Sequence, residues 1–239
     1  GLCFILLIIV VTSYFIYNNA QASKLANQLL ALKSLRSQMN PHFIFNALNS
    51  VNQFISQNDE RAANKFLADF SKLMRMVLDH SHEDFITLNQ EKEIITLYLK
   101  LEQYRFREKF DYSFRIDEDI ELDSVHIPPM LIQPYIENAV WHGLRYKEEF
   151  GHLSIDIVMQ NSRLVATIED DGIGRKNSHK LKTENQKLHN SQGLKNIEQR
   201  LKIINKVYKT HYRIEIADKE ATTGEGTRVT IHIPFNNHG

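Results

Sequence analysis

The sequence predicts an α+β protein in which a helical region precedes a domain of mixed strands and helices. Three observations support this prediction. An uncharged apolar run occupies residues 2–17, apolar residues recur at helical spacing through residues 25–105, and from residue 110 they alternate with polar residues. A period near 3.6 is typical of helices and a period of 2 of strands, so the chain changes character near residue 109.

The composition narrows the class of protein. Hydrophobic residues make up 42% of the chain, which indicates a globular protein with a core. Lysine plus arginine and aspartate plus glutamate number 29 each, so the net charge is zero and we expect no direct binding to nucleic acid. The single cysteine, Cys3, excludes an internal disulfide and a four-cysteine zinc site.

Residues 1–19 are predicted to be the C-terminal part of a transmembrane helix. The apolar run 2–17 is slightly shorter than the roughly 20 residues that a bilayer span needs. A signal peptide is the alternative, because residues 20–22 (AQA) resemble a cleavage site, but no basic segment precedes the run. Basic residues between positions 24 and 36 follow it, which places the rest of the chain in the cytoplasm.

Residues 20–109 are predicted to form a helical region. Apolar residues four and three positions apart from Leu25 to Phe43 fit a coiled-coil seam or an amphipathic helix. Two further helical patterns follow, and the second begins with a capping box formed by Thr87 and Gln90. The apolar faces of these helices predict a homodimer built on this region.

One histidine stands out in the stretch QMNPHFIFNALN. Pro41 either kinks a continuing helix or occupies the first turn of a new one, and both fix the backbone before His42. Asn46 lies four residues later on the same helix face. Taken alone, His42 fits a nucleophile, a metal ligand or a polar surface residue.

Residues 110–236 are predicted to form an α/β domain. A polar run over residues 175–190 is predicted to be a long mobile loop. The predicted strands cover residues 110–116, 153–157, 164–168, 212–217 and 227–233, and the predicted helices cover residues 128–141 and 193–208.

Four short motifs follow one another in this domain. They are ENAVWHG at residues 137–143, DDGIG at 170–174, SQGL at 191–194 and TGEGT at 223–227. Each is weak alone, but their order, spacing and placement on the predicted elements together indicate a nucleotide site.

The four motifs resemble the nucleotide-binding boxes of the GHKL ATPases, which include histidine kinases, gyrase and MutL. Together with the stretch NPHFIFNALN, they make the chain similar to LytS/YehU-type bacterial sensor histidine kinases over about residues 33–235. This resemblance implies a Bergerat-type α/β sandwich that binds ATP, attached to a dimerising helical pair that carries the phosphoacceptor.

The resemblance assigns ATP and Mg²⁺ as cofactors and gives the main site residues their roles. His42 becomes the phosphoacceptor, and the amide oxygen of Asn138 becomes the Mg²⁺ ligand, since this ion prefers oxygen ligands. Asp170 would accept a hydrogen bond from the adenine amino group. Asn46 would either orient water for dephosphorylation of a partner or only cap or solvate its helix.

The remaining candidates line the nucleotide pocket. We expect Gly172 and Gly174 to let the backbone approach a ligand closely, and Gly193, at a helix start, to offer N–H groups to phosphate. His142 could contact phosphates or cap its helix, and the polar run 175–190 becomes the ATP lid. The pocket candidates are Gly172, Gly174, Gly193, Leu194, Gly226 and Thr227.

Two positions depart from the family pattern. Many histidine kinases place an acidic residue directly after the phosphoacceptor, where this chain has Phe43. ATP-hydrolysing members often carry a glutamate four residues before the asparagine, where this chain has Pro134, which disfavours simple ATP hydrolysis. Glu137 is the nearest carboxylate in sequence and is either a catalytic base or a surface charge.

The predicted function is therefore that of a sensor histidine kinase in a two-component system. It would autophosphorylate His42 from ATP and pass the phosphoryl group to an aspartate of a response regulator with a DNA-binding output. Its location would be the bacterial cytoplasmic membrane, with the catalytic part in the cytoplasm. The alternative is a catalytically silent GHKL receptor that binds ATP and signals by conformation.

Overall fold

The computed structural model describes residues 11–14, 41–80, 83–106, 109–161, 163–181, 197–219 and 225–234. Residues 11–14 are helical, and within the described ranges no helix has both the length and the apolar character needed to cross a bilayer. The rest of the predicted membrane helix, and the seam between residues 25 and 40, lie outside these ranges.

Two helices form a pair between residues 41 and 80. Helix α1 (Pro41–Ser56) and helix α2 (Glu60–His80) are joined by a three-residue turn in which Asn58 has a φ of +57°. The Asp59 carboxylate caps α2 by accepting the Ala62 N–H at 2.9 Å. Phe54 and Phe66 pack 5.7 Å apart between ring centres, so the two helices lie against each other.

Helix α3 (Leu88–Arg105) connects this helical pair to the rest of the fold. The predicted capping box is confirmed, since Gln90 N–H donates to the Thr87 hydroxyl and Thr87 N–H to the Gln90 side chain. Strand β1 (Ile86–Thr87) precedes α3 and pairs with β3 (His126–Ile127). An ion pair at 2.7 Å between Lys100 and Asp69 joins α3 to α2.

A five-stranded sheet forms the second layer. Its strands are β2 (Phe110–Ile116), β4 (Gly151–Gln160), β5 (Arg163–Asp170), β6 (Arg213–Asp218) and β7 (Thr227–Pro234). Their order is β2-β4-β5-β7-β6, with β2 and β4 parallel and the other neighbours antiparallel. The predicted alternation is confirmed in β4, because its apolar residues on one face are buried and their neighbours in sequence are not.

The helix predicted from residue 128 to 141 begins later and changes its winding. Helix α4 (Gln133–Asn138) continues as a π-helical turn (Ala139–Gly143) and a 3₁₀ turn (Leu144–Tyr146). It starts late because Met130 has a φ of +57° and the buried Glu91 carboxylate holds the N–H groups just before α4.

The prediction that residues 175–190 form a loop is wrong for its first part. Helix α5 (Gly174–Leu181) occupies this segment, and an ion pair at 2.6 Å between Arg175 and Asp218 attaches it to β6. Residues 182–196 lie outside the described ranges, and helix α6 covers residues 197–208.

One continuous hydrophobic core joins the helical and sheet layers. It extends from Phe66 and Leu73 in α2 through Tyr98 in α3 to Ile155 in β4. The α+β prediction is therefore confirmed, with α3 packed between the helical pair and the sheet domain.

Candidate functional site

The site is built around Asp170, the last residue of β5. Thr227, the first residue of β7, is its partner in the sheet register, so the second and fourth motifs meet there. The Asp170 carboxylate accepts the Gly172 N–H at 2.9 Å, and the backbone N–H of Thr227 also lowers the pKa of this carboxyl group. A turn and a strand thus aim two backbone donors at one buried carboxylate.

The first motif reaches the same carboxylate through glycines. The backbones of Gly143 and Gly172 touch, since a Cβ added at Gly172 would lie 2.4 Å from the Gly143 Cα. A Cβ added at Gly143 would lie 2.6 Å from the Asp170 Oδ1 atom. Within the described residues, Gly143 and Gly172 therefore let one motif pack against another, and the predicted close approach to a ligand stays a prediction.

The fourth motif approaches from the other side. Gly226 has a φ of +142°, and a Cβ there would lie 2.1 Å from the Asp170 carbonyl oxygen, so glycine is required. Gly174, the first residue of α5, also has a positive φ. A Cβ added at Gly174 would lie 3.7 Å from the Gly226 backbone nitrogen. Three of the four predicted motifs therefore converge on Asp170.

Burial changes the acid–base behaviour of Asp170. Desolvation raises the pKa of Asp170 to about 6, and the charge of Asp171 adds to this effect. The N–H donors of Gly172 and Thr227 and the charge of Lys219 act in the opposite direction. Near neutral pH, Asp170 is therefore an ionised acceptor that is almost fully removed from water.

Asn138 is the last residue of α4 and is half-buried. Its Nδ2 atom donates to the Pro134 carbonyl oxygen, one turn earlier, at 2.8 Å. This bond occupies the NH₂ end of the amide, so the oxygen end is the one directed away from the helix backbone. An amide oxygen oriented in this way fits a Mg²⁺ ion that takes its other ligands from phosphates and water.

Glu137 precedes Asn138 in sequence, and His142 follows it four residues later. The Gln133 side chain donates to Glu137 at 3.0 Å, and the Glu137 charge acts on Glu102 and Tyr98 of α3. Glu137 is half-buried, and its role as a catalytic base or as a surface charge stays a prediction. His142 is half-buried within the π-helical turn.

The other predicted site residues lie elsewhere. His42 belongs to the first turn of α1, and Asn46 lies one turn later, where its carbonyl oxygen accepts the Ser50 hydroxyl. Gly193 and Leu194 are outside the described residues.

Sequence reasoning missed two contributors to the site. The Pro134 carbonyl orients Asn138, which only the helical spacing of four residues could have suggested. Gly143 was visible at the end of the first motif, but its contact with Asp170 depends on the π-helical turn.

Comparison with known proteins gives a family. Residues 30–110 match the family model described as Histidine kinase. The Staphylococcus epidermidis protein named Sensor protein LytS is 34% identical over 143 residues, which are 60% of this chain and 24% of that protein. A putative uncharacterized protein of Bacillus subtilis, YwpD, is 34% identical over 181 residues, 74% of this chain and 64% of that protein.

The Escherichia coli protein named Sensor histidine kinase YpdA is 31% identical over 185 residues, 77% of this chain and 32% of that protein. This chain thus spans about a quarter of the LytS relative and a third of YpdA. Among solved structures, the histidine kinase domain of the Erythrobacter litoralis blue-light activated kinase is 14% identical with a TM-score of 0.44, covering 89% of this chain and 95% of that one. The family match and the named relatives agree with the motifs: residues 30–110 belong to the histidine kinase family, and the chain is similar to sensor proteins of the LytS type.

Proposed function

We propose that this chain is the phosphotransferase part of a two-component sensor histidine kinase that phosphorylates His42 from ATP. The observation that carries the proposal is the convergence of three motifs on Asp170, with Asn138 at the other end of the π-helical turn that delivers Gly143. A buried carboxylate and a directed amide oxygen are the groups that an adenine amine and a Mg²⁺-bound phosphate chain need.

Asp170 recognises the base. Its ionised carboxylate accepts a hydrogen bond from the exocyclic amine of adenine, while Gly172 and Thr227 keep the carboxylate in place. Because the group is buried, a nucleotide whose base lacks this donor leaves a charge uncompensated, which supports selection of adenine over guanine.

Asn138 would hold a Mg²⁺ ion. Such an ion would supply positive charge that neutralises the phosphates of the nucleotide. The chain contributes the oxygen ligand and its orientation through the Pro134 carbonyl. Most of the catalysis is positioning and electrostatics, since phosphoryl transfer asks for little covalent chemistry from the protein.

His42 receives the phosphoryl group. A neutral imidazole uses the lone pair of one ring nitrogen to form the N–P bond, and the bond from the γ-phosphorus to the bridging oxygen of ADP breaks. The unperturbed pKa of histidine, about 6.5, keeps the imidazole largely neutral at physiological pH without a base. Glu137 remains the candidate that accepts the proton from the other ring nitrogen.

The later steps involve a partner. The phosphoryl group passes from His42 to an aspartate of a response regulator, and Asn46 orients water when that aspartyl phosphate is hydrolysed. The kinase acts as a homodimer, is anchored to the bacterial cytoplasmic membrane through residues 1–19 and has its catalytic part in the cytoplasm. The response regulator, rather than this chain, contacts DNA.

Incubation with γ-labelled ATP and Mg²⁺ tests the proposal. We expect label that is acid-labile and base-stable, as phosphohistidine is, and we expect His42→Gln to lose it while still binding ATP. His80→Gln is the matched control, because His80 ends α2 beside Glu83, outside all four motifs. Acid-labile label that persists in His42→Gln would reject the assignment. Binding of ATP without label in the parent protein would instead indicate the silent receptor.

A further inference from the structure

Trp141, the single tryptophan of the sequence, lies in the π-helical turn between Asn138 and Gly143. It is 8% exposed and is enclosed by side chains from two directions. The Arg105 guanidinium carbon lies 3.8 Å from the centre of its ring system, and that of Arg145 lies 4.9 Å away. The Phe106 ring meets it edge to face at 5.6 Å.

Arg105 is itself held firmly. Its Nη1 atom donates to both carboxylate oxygens of Glu102, at 3.1 and 3.3 Å. The Glu102 side chain is almost fully buried and that of Arg105 nearly so. Burial lowers the pKa of Arg105 and Glu102 raises it, so the guanidinium keeps its charge. A desolvated cation over an indole face makes one of the stronger cation–π contacts.

This cluster joins two parts of the fold. Arg105 is the last residue of α3, the helix that packs against α2 of the helical pair through Lys100 and Asp69. Trp141 belongs to the turn that has Asn138 at its start and Gly143 at its end. The Arg105–Trp141 contact is therefore a direct link between α3 and the segment that carries Asn138, the proposed Mg²⁺ ligand.

We propose that Arg105 is a positioning residue for the nucleotide site. It stacks on Trp141 and donates hydrogen bonds to Glu102, and in this way it fixes the turn that aligns Asn138 with the Mg²⁺-bound phosphates. The inference rests on the proposed function, since it concerns the same nucleotide site. A planar guanidinium is needed because it can stack on the indole and hydrogen-bond Glu102 at once, whereas an ammonium group cannot do both in this geometry.

The test is Arg105→Lys, which keeps the charge and removes the plane. Because Trp141 is the only tryptophan, its fluorescence reports on the contact directly. We expect red-shifted emission and greater quenching by acrylamide in the variant. Arg115→Lys is the matched control, since Arg115 forms an exposed ion pair with Asp156 on the sheet, and it should leave emission unchanged.

The kinetic readout separates positioning from mere stability. We expect Arg105→Lys to lower kcat for His42 labelling about tenfold or more, because small misplacements of reacting groups have effects of this size. The Mg²⁺ concentration for half-maximal rate should rise, while nucleotide affinity measured without Mg²⁺ stays close to the parental value. A variant with parental kcat and Mg²⁺ dependence would overturn the inference, even if its melting temperature fell.

Two further measurements keep the inference testable. If Arg105→Lys does not fold, Glu102→Gln is the second variant. It removes one of the two carboxylate oxygens that accept hydrogen bonds from Arg105, and it should also lower kcat. If the parent protein shows no labelling, the proposed function fails. Calorimetric titration of Mg²⁺–ATP then decides the inference separately: weaker Mg²⁺-dependent binding by Arg105→Lys supports it, and equal binding overturns it. A parent protein that binds no nucleotide overturns both.

Discussion

Asp170 makes base recognition depend on pH. Its pKa is raised to about 6 by burial, so the carboxylate becomes protonated as the pH falls below this value. Because only the ionised form is the full acceptor for the adenine amine, we expect affinity to be constant above about pH 7 and to fall below pH 6. Titration with adenosine measures this without interference from phosphate groups, which titrate in the same range.

Two variants test that assignment. Asp170→Asn should bind adenosine weakly at every pH and show no dependence in this range. Asp171→Asn is the control: it keeps the acceptor and removes a charge that raises the pKa of Asp170, so the midpoint should move to lower pH. Parental affinity in Asp170→Asn would exclude contact between Asp170 and the base.

Glu102 makes the free energy of unfolding depend on pH. Burial raises the pKa of Glu102 from 4.5 to about 7, against the opposing charge of Arg105. The folded chain therefore holds this proton more tightly than the unfolded chain. The corresponding stability is fully present below pH 4.5 and is lost as the pH rises through 7.

The size of this effect is on the order of 3 kcal/mol, from a pKa difference of about 2.5. Urea unfolding of the parent and of Glu102→Gln at pH 5 and pH 8 checks it. We expect the loss of stability between the two pH values to be smaller in the variant. An equal loss in both proteins would assign the dependence to other groups.

The turn after α4 is set by its contact with the sheet. A Cβ at position 143 would lie 2.6 Å from the Asp170 Oδ1 atom, so Gly143→Ala forces apart the two motifs that meet there. Overpacking of this kind typically costs about 1–3 kcal/mol. We expect nucleotide binding to weaken about tenfold, which corresponds to roughly 1.4 kcal/mol, as measured by calorimetry.

Gly151→Ala is the control for that substitution. Its Cβ would also approach a neighbour closely, at 2.8 Å, but the neighbour is the flexible end of the Leu144 side chain. This variant should bind nucleotide as the parent does. If Gly143→Ala and Gly151→Ala bind equally well, the contact between Gly143 and Asp170 has no role in the site.

Local signals predicted some elements well and others poorly. The start of α3 was predictable because Thr87 and Gln90 satisfy each other within one turn. Helix α5 was not, because its sequence is polar and its attachment to β6 depends on Arg175 reaching Asp218, distant in sequence. The winding change after Asn138 likewise depends on a tertiary contact that no local pattern shows.

The resemblance to histidine kinases predicted which motifs would meet in the folded chain, and the periodicity of apolar residues did not. Residue patterns alone indicated a helical region and an α/β domain, but not which motifs would meet. The register that pairs Asp170 with Thr227 brings the second and fourth motifs together across a gap of more than 50 residues. Only the family pattern made that convergence predictable, and the support that Arg105 gives to Trp141 escaped both kinds of reasoning.

The helical pair is where we expect two copies of the chain to meet. Several large apolar side chains of α1 and α2 are about half exposed or more in the single chain, and those of α1 follow helical spacing along one face. A second copy would cover them, as the proposed homodimer requires. These side chains are Phe45, Leu48, Ile55, Leu67 and Leu78.

Ile55→Lys tests the dimer because it places a charge on this apolar face, near the end of α1 and away from His42. Ile55 is 56% exposed in the single chain, so the substitution should leave the protomer folded while weakening association about tenfold or more.

Phe150→Lys is the matched control, since Phe150 is similarly exposed, at 60%, but lies outside the helical pair. Light scattering at tens of micromolar on chains beginning at residue 21 should give a dimer for the parent and for Phe150→Lys, and a smaller mass for Ile55→Lys. A monomeric parent, or an equal loss of mass in both variants, would show that the exposed face of α1 is not the dimer interface, because a charge there would then matter no more than a charge elsewhere on the surface.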